Sequence, residues 1–352
     1  TPMLGEDADK ARLRALGDEG VMALIGDSTN AMVPGHTPSE AVACAGLTKV
    51  IAEAENMVAV TCFASNVARI ESIITAASAN NRSVCIAGRA LNRTISAAKE
   101  VGYLRDIPDF VTESDASLIP RENLVIICTG SQGESRAAMA RIANGMHEQI
   151  SLNAGDTVIF SSRKIPGNEQ AIGRVQDALL RGRVHLVTDE EADVHVSGHP
   201  SRDELTEMYS LIRPKIAIPV HGTARHLLAH AELAENCQVA QTLIPENGDM
   251  IKFKAGKAEI EGQAPTGLLT HEGGEIVDLQ SDFLRVRRRM LWNGTVTISV
   301  VLSGAGHLLM APQISQSGLC SEQQEVDFIA DASLAVEDAL MDHFEKSKRD
   351  NR

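Results

Sequence analysis

The sequence predicts an α/β fold, a parallel sheet covered by helices on both faces, followed by a smaller α+β tail. Three observations predict it. Short β-branched runs alternate with amphipathic helical stretches at the spacing of strand–turn–helix units. The turns after these runs are small and polar: Phe63-Ala-Ser-Asn66, Gly88-Arg89 and the glycine-rich Thr129-Gly-Ser-Gln-Gly-Glu134. The chain has 352 residues, 43% of them hydrophobic, enough for two or three domains with sizeable cores.

Taken in order, residues 1–20 are charged and predict a loop and a short helix. An apolar strand over 21–25 runs into Gly26-Asp-Ser-Thr-Asn30, which leaves Asp27 at a strand end. An aspartate there is often a turn former through its side-chain oxygens. Thr37-Pro-Ser-Glu40 has a capping Thr, Pro at the first helical position and Glu two further on, so a helix is expected over 39–55. Strands follow at 57–62, 83–87 and 124–128, with helices at 67–77, 91–101 and 135–147. Val67, Ile70, Ile73, Ile74 and Ala77 share one helical face.

A second α/β stretch opens with a strand at 157–160, a loop through Ile165-Pro-Gly-Asn168, and a helix marked by Ile172, Val175 and Leu179. Short strands are expected at 183–187 and 194–196, a helix carrying Leu205, Met208 and Ile212, a strand at 215–220, and a helix over 223–235. Residues 256–280 are Gly-rich and read as a linker. Arg285, Arg287, Arg288 and Arg289 then precede β-rich runs and a helix from about Ser321. That cluster suits an RNA backbone, a charged strand end or a subunit contact. One hairpin and one helix bury little core alone, so the tail is expected to pack on the rest of the chain or on another copy, or to continue beyond Arg352.

Composition narrows the classes. A net charge of −14 with 3% aromatics argues mildly against a broad nucleic-acid-binding surface, although it says little about a single groove. The six cysteines show no CxxC or zinc-ribbon spacing, which fits free thiols in a reducing cytoplasm. No apolar run approaches a membrane span and no secretory signal opens the chain. The first residue is Thr, which suggests a fragment or a processed chain.

Chemistry concentrates in Ala192-Asp-Val-His-Val-Ser-Gly-His199 and Pro219-Val-His-Gly222. His199 and His221 each follow a β-branched run, and side chains at the carboxyl ends of parallel strands are where α/β proteins build sites. Ser201 and Glu204 have capping-box spacing, so the turn at Ser197-Gly198-His199 would offer free amides to an anion. His226 and His230, four apart on a helix, have metal-ligand spacing but no carboxylate signature, and read as ordinary helix surface. A nucleotide-binding α/β protein would explain the polar turns but needs GxGxxG or a P-loop, and the sequence has neither.

These segments, together with Pro34-Gly-His-Thr-Pro-Ser-Glu40, Ile165-Pro-Gly-Asn-Glu169 and Ile218-Pro-Val-His-Gly222, occur in the order seen in bacterial ribonuclease J. The chain thus resembles a β-CASP member of the metallo-β-lactamase superfamily over roughly two thirds of its length. The resemblance implies a partial metallo-β-lactamase αββα sandwich with an inserted β-CASP α/β domain, and a partial α+β C-terminal domain. Residues 1–35 would end the first β-lactamase half, 36–154 form the β-CASP domain, 155–255 the second half, 256–280 a linker and 281–352 the C-terminal part. Residues 1–35 should pack with 155–255.

The implied function is RNA processing and decay by metal-dependent phosphodiester hydrolysis, endonucleolytic and 5′ to 3′, on RNA that preferably carries a 5′-monophosphate. By resemblance Asp27 bridges two zinc ions and His221 ligates one of them. His199 contacts the scissile phosphate as a general acid, and His195, Val196, Ser197 and Gly198 grip phosphate beside it. Ser65 and Asn66 form a substrate-contacting turn. A cytoplasmic homodimer or tetramer is implied too. The family's His-x-His-x-Asp-His signature is absent from this chain, as is a further histidine ligand. Ala68 and Thr223 stand where relatives often carry His and an acidic residue. A zinc site needs three or four protein ligands, so this chain alone is expected to bind no stable metal pair, to be inactive, and to need a missing N-terminal half. The alternative is a non-catalytic RNA-binding or assembly subunit that lost its metals; an upstream His-x-His-x-Asp-His would favour the enzyme.

Overall fold

The β-branched runs become two parallel sheets in the computed structural model, which describes residues 5–304 and 306–350. Residues 1–4 of the expected first segment lie outside the described residues. The chain divides into two compact units, Thr1–Gly262 and Gln263–Arg352.

The first unit contains, in order, α1 (Lys10–Glu19), β1 (Ala23–Asp27), α2 (Glu40–Glu53), β2 (Val58–Thr61), α3 (Val67–Ala79), β3 (Ser83–Ala87), α4 (Arg89–Glu100), β4 (Leu124–Cys128) and α5 (Ala138–Ala143). It continues with β5 (Thr157–Phe160), α6 (Glu169–Arg181), β6 (His185–Val187), α7 (Arg202–Ile212), β7 (Ile216–Val220), α8 (Ala224–Asn236), β8 (Gln241–Thr242), β9 (Asp249–Lys254) and β10 (Lys257–Gln263). The larger sheet is parallel throughout, in the order β3-β4-β2-β5-β6. Helices cover both faces, so its central strands are continuous apolar runs, and every residue of β4 is buried. Leu47, Ile51, Ile70, Ile73, Leu91 and Ile95 of α2, α3 and α4 pack on one face. Met139, Ile142, Ile172, Val175 and Leu179 of α5 and α6 pack on the other.

The smaller sheet is parallel β1-β7-β8. Leu205 and Tyr209 of α7 and Leu233 of α8 cover one face, while Ile251 and Ala258 from the two-stranded β9–β10 sheet cover the other. Residues 23–27 therefore pair with residues 193 positions later. β1 lies at the edge of this sheet, and its Ile25 is 62% exposed. Mixed α/β architecture with parallel sheets is what the resemblance implied.

Some expectations change. Residues 157–187, expected with the second β-lactamase half, belong to the larger sheet, where Val58 pairs with Thr157 and Thr157 with His185. An apolar strand fits any doubly covered sheet, so its composition does not say which one it joins. Helix α2 is capped by Ser39, whose hydroxyl accepts from the Ala41 N–H, rather than by Thr37. No strand forms at 194–196. Helix α5 stops at Ala143, well short of 147, and Gly145 follows with φ +67°. The stretch expected to be a linker is largely strand, because its glycines serve turns: Gly256 lies between β9 and β10, and Gly273 and Gly274, at φ +58° and +93°, turn the hairpin of β11 (Leu269–Glu272) and β12 (Glu275–Asp278).

The second unit continues with α9 (Asp282–Asn293), the antiparallel pair β13 (Thr295–Ser299) and β14 (Gln313–Ser317), and α10 (Glu325–Asp350). The arginine cluster lies on α9 and is partly engaged locally, Arg287 with Glu272 at 2.7 Å and Arg285 with Asp282. Among the described residues no helix is long and apolar enough to cross a membrane.

Candidate active site

Parallel pairing of β1 with β7 sets Asp27 opposite Val220, and the Ser28 N–H donates to the Val220 carbonyl at 2.9 Å. The next residue on β7's side is His221, which takes a left-handed backbone, φ +58°. Such a conformation is strained for a residue with a Cβ and tends to mark functional turns. It brings His221 Nδ1 to 3.0 Å from Asp27 Oδ2. His199 Nδ1 reaches the same oxygen at 2.7 Å, and the two imidazole rings lie 5.2 Å apart. The other oxygen, Oδ1, accepts from the Thr29 N–H at 2.7 Å. Burial alone would raise the Asp27 carboxyl, but the donors from Thr29, His199 and His221 outweigh it and hold the group at about 2.

One ligating atom from each of Asp27, His199 and His221 lies within 4.8 Å of the others. One carboxylate and two imidazoles form a donor set suited to a divalent ion such as zinc, and three protein ligands is the count of catalytic zinc sites. Among the described residues this is the one such group.

Below the site, His230 is not on the helix surface, where its spacing from His226 suggested it would lie. The residue is fully buried, with Nδ1 at 2.9 Å from Ser28 Oγ and Nε2 at 2.9 Å from the Tyr209 hydroxyl. Burial pushes it down to about 4, despite the charge of Asp27, and pushes the Tyr209 phenol up. Gly26 makes room, since a Cβ there would sit 3.0 Å from His230 Cε1. The signal was available: Leu233 and Ala234, three and four residues on, are buried on the same helical face. His226 instead turns back to the start of its own helix, where its Nδ1 accepts from the Thr223 N–H at 3.2 Å.

The 195–199 segment has no regular structure, and side chains from distant elements hold it. Asn30 Nδ2 donates to Ser197 Oγ and to the His199 carbonyl, both at 3.0 Å, and Thr37 Oγ1 donates to the same carbonyl at 2.8 Å. Ser197 Oγ also accepts from the His199 N–H at 3.2 Å, leaving its own proton to donate outward. The Ser201–Glu204 capping box forms as its spacing predicts, and Glu204 also accepts from the Thr37 N–H at 2.9 Å. Arg69, 1% exposed, reaches in from α3. Its Nη1 donates to Ser161 Oγ at 2.8 Å and to the Ser161 carbonyl at 3.1 Å, and Nη2 to the Val196 carbonyl at 3.4 Å. Glu40 neutralises it through two hydrogen bonds of 2.6 and 2.9 Å. Burial, followed by the charges of Arg69 and Arg163, holds His195 down at about 4.

A cleft of about 540 Å³ opens along these residues. His195 to His199 and His221 line it, with Asn66 and Phe63 from the turn after β2 and Arg163 and Lys164 from the loop after β5. Among the expected site residues Ser65 is the one that does not join this constellation: it is exposed and outside the lining. Asn66 caps α3, its Oδ1 accepting from the Arg69 N–H at 2.9 Å. Asp27 meets the cleft through the two histidines it holds. Sequence reasoning missed Asn30, Thr37, Glu40, Arg69, Arg163 and His230.

The chain matches the family description "Ribonuclease J, beta-CASP domain" over residues 55–179 and "Zn-dependent metallo-hydrolase RNA specificity domain" over residues 190–244. It is 42% identical over 341 residues to a protein of Sinorhizobium meliloti named Ribonuclease J, covering 97% of this chain and 59% of the relative. A Synechocystis protein of the same name is 38% identical over 91% of this chain and 50% of its own length. Ribonuclease J2 of Bacillus subtilis is 33% identical over 99% of this chain and 63% of its own. The chain thus spans about half to two thirds of the length of these relatives.

Proposed function

The chain belongs to the ribonuclease J family, and on that premise we propose that it carries the RNA-binding cleft and part of the metal centre of an RNA hydrolase. The observation that carries this reading is the convergence of His199 and His221 on one carboxylate oxygen of Asp27, at the edge of a cleft lined by His195, Ser197 and Gly198. The substrate of the complete hydrolase would be RNA, cut internally and from a 5′-monophosphorylated end, while this chain by itself would bind RNA without cleaving it. Arg163 and Lys164 give the cleft local positive charge although the chain as a whole is at −14.

Asp27 and His221 would hold a divalent metal, which when bound would act as a Lewis acid on a phosphoryl oxygen. Asp27, low-lying and charged at every neutral pH, is suited to that ligation. His199, anchored at Nδ1 by Asp27, presents Nε2 as the atom that delivers a proton to the leaving oxygen. Ser197 donates its hydroxyl and Gly198 its backbone N–H to phosphate oxygens, and His195 stands beside them. Asn66 meets the RNA from the far wall, while Ser65 plays at most a peripheral part. Within this reading residues 55–187 form the β-CASP body, and the β-lactamase strands are 23–27 and 216–220.

Two dedicated metal ligands are too few for a tight pair of ions. The full chain should therefore hold less than one zinc after gel filtration and leave 5′-monophosphorylated RNA uncleaved, while still binding it. Stoichiometric paired zinc with RNA cleavage would overturn the claim that this chain alone lacks a complete centre. Absence of RNA binding would overturn the cleft.

A further inference from the structure

We propose that Arg69 is a positioning residue that fixes His195 with its proton on Nε2, so that the ring offers an N–H, not a lone pair, to an anionic group in the cleft. The proposal rests on the reading of the cleft as a phosphate site and adds what orients one of its members.

Arg69 Nη1 lies 3.0 Å from His195 Nδ1. A guanidinium has five N–H donors and no acceptor, and it does not lose its proton in proteins. A proton on Nδ1 would set N–H against N–H at hydrogen-bond distance, so Nδ1 must carry the lone pair. A neutral imidazole then has its proton on Nε2, the ring nitrogen not held by Arg69, and His195 is one of the residues that line the cleft. Arg69 has little freedom to retreat, because Glu40 grips it with both oxygens and Ser161 accepts from it twice. The Ser161 carbonyl also lies within reach of the His195 ring and is an acceptor available to a ring proton. A ring proton would have to share it with Arg69, which donates to it at 3.1 Å. Burial and the flanking charges of Arg69 and Arg163 keep the ring neutral near pH 7. The tautomer, rather than a positive charge, therefore decides whether His195 attracts or repels a phosphate oxygen.

The test is the tautomer of His195 in the full chain, labelled with ¹⁵N at histidine and assigned by the signals lost in His195→Gln. Long-range ¹H–¹⁵N spectra at neutral pH should show Nδ1 bare and Nε2 protonated, and added inorganic phosphate should move the Nε2 signals. A protonated Nδ1, or a charged ring, overturns the proposal. In the double variant Glu40→Gln/Arg69→Met, which removes the cation without stranding a carboxylate, the proton should shift toward Nδ1 and the Ser161 carbonyl. Phosphate binding should then weaken about tenfold or more, the loss expected for one hydrogen bond to a charged group. An unchanged tautomer there overturns the role of Arg69. Should that variant not fold, the wild-type spectrum decides the tautomer, and a scalar coupling across the hydrogen bond from Arg69 Nη1 to His195 Nδ1, present or absent, decides the role of Arg69. The expected tautomer with no response to phosphate would support Arg69 while sinking the phosphate reading of the cleft, so the two failures are distinguishable.

Discussion

Glu40→Leu should be among the most destabilising single substitutions in the first unit. Arg69 is 1% exposed and places two hydrogen bonds, of 2.6 and 2.9 Å, on the Glu40 carboxylate. The same carboxylate accepts from Ser72 Oγ at 2.9 Å. Leucine strands a buried cation, which costs about 3–5 kcal/mol, and leaves the Ser72 hydroxyl without its acceptor, about 1 kcal/mol more. The carbonyls of Ser161, Val194 and Val196 still accept from Arg69 and offset part of this, so about 3 kcal/mol is the expected loss. With a urea slope of about 3 kcal/mol/M the midpoint should fall by about 1 M. The assay is urea denaturation followed by far-ultraviolet circular dichroism, because the single tryptophan, Trp292, belongs to the second unit and would report on that instead. The double variant Glu40→Leu/Arg69→Met removes both charges and should recover most of the loss, since apolar replacement of a whole buried pair is often close to neutral. A single variant within about 1 kcal/mol of wild type, or one no worse than the double, would refute the claim that this pair is a buried, mutually dependent unit.

Two further predictions follow from groups near the site. His230 is held at about 4, below its usual value of about 6.5, so the unfolded chain binds a proton more readily than the folded one. Its contribution is complete above pH 6.5 and is lost as pH falls from 6.5 towards 4, by about 3 kcal/mol in all. Urea midpoints across that range should therefore decline in wild type and decline about half as steeply in His230→Asn, because His195, also held at about 4, titrates over the same range; an unchanged slope would show that His230 is not one of the titrating groups. His221 pairs a left-handed backbone with a side chain at Asp27, so His221→Gly should raise the melting temperature, by the equivalent of about 0.5–1 kcal/mol, while weakening zinc binding. A lower melting temperature in metal-free buffer would mean that the contacts of His221 with Asp27 and Thr29 outweigh the backbone strain.

The fold and the site were legible to different depths, for physical reasons. Strands β2 to β5 announce themselves as short β-branched runs because both faces of their sheet are covered, and that local pattern needs no partner to be read. The same property hides which sheet a strand joins, and residues 157–187 went to the wrong one. Asp27 and His221 were visible because each ends a strand, and parallel pairing of those strands does the rest. The 195–199 segment is different. Its β-branched Val194 and Val196 suggest a strand, yet no neighbouring strand holds them; Arg69, 126 residues earlier than His195, does. A charged residue beside Ile70 and Ile73 on an apolar helix face was the available sign, and it could say that Arg69 is buried but not what it grips. Asn30 and Thr37 are likewise separated by more than 160 residues from the His199 carbonyl they share. A segment shaped by such contacts has no local code to read. Its shape is instead conditional on the folding of everything around it, so the phosphate grip proposed here should be lost as soon as either sheet loosens, before the chain as a whole unfolds.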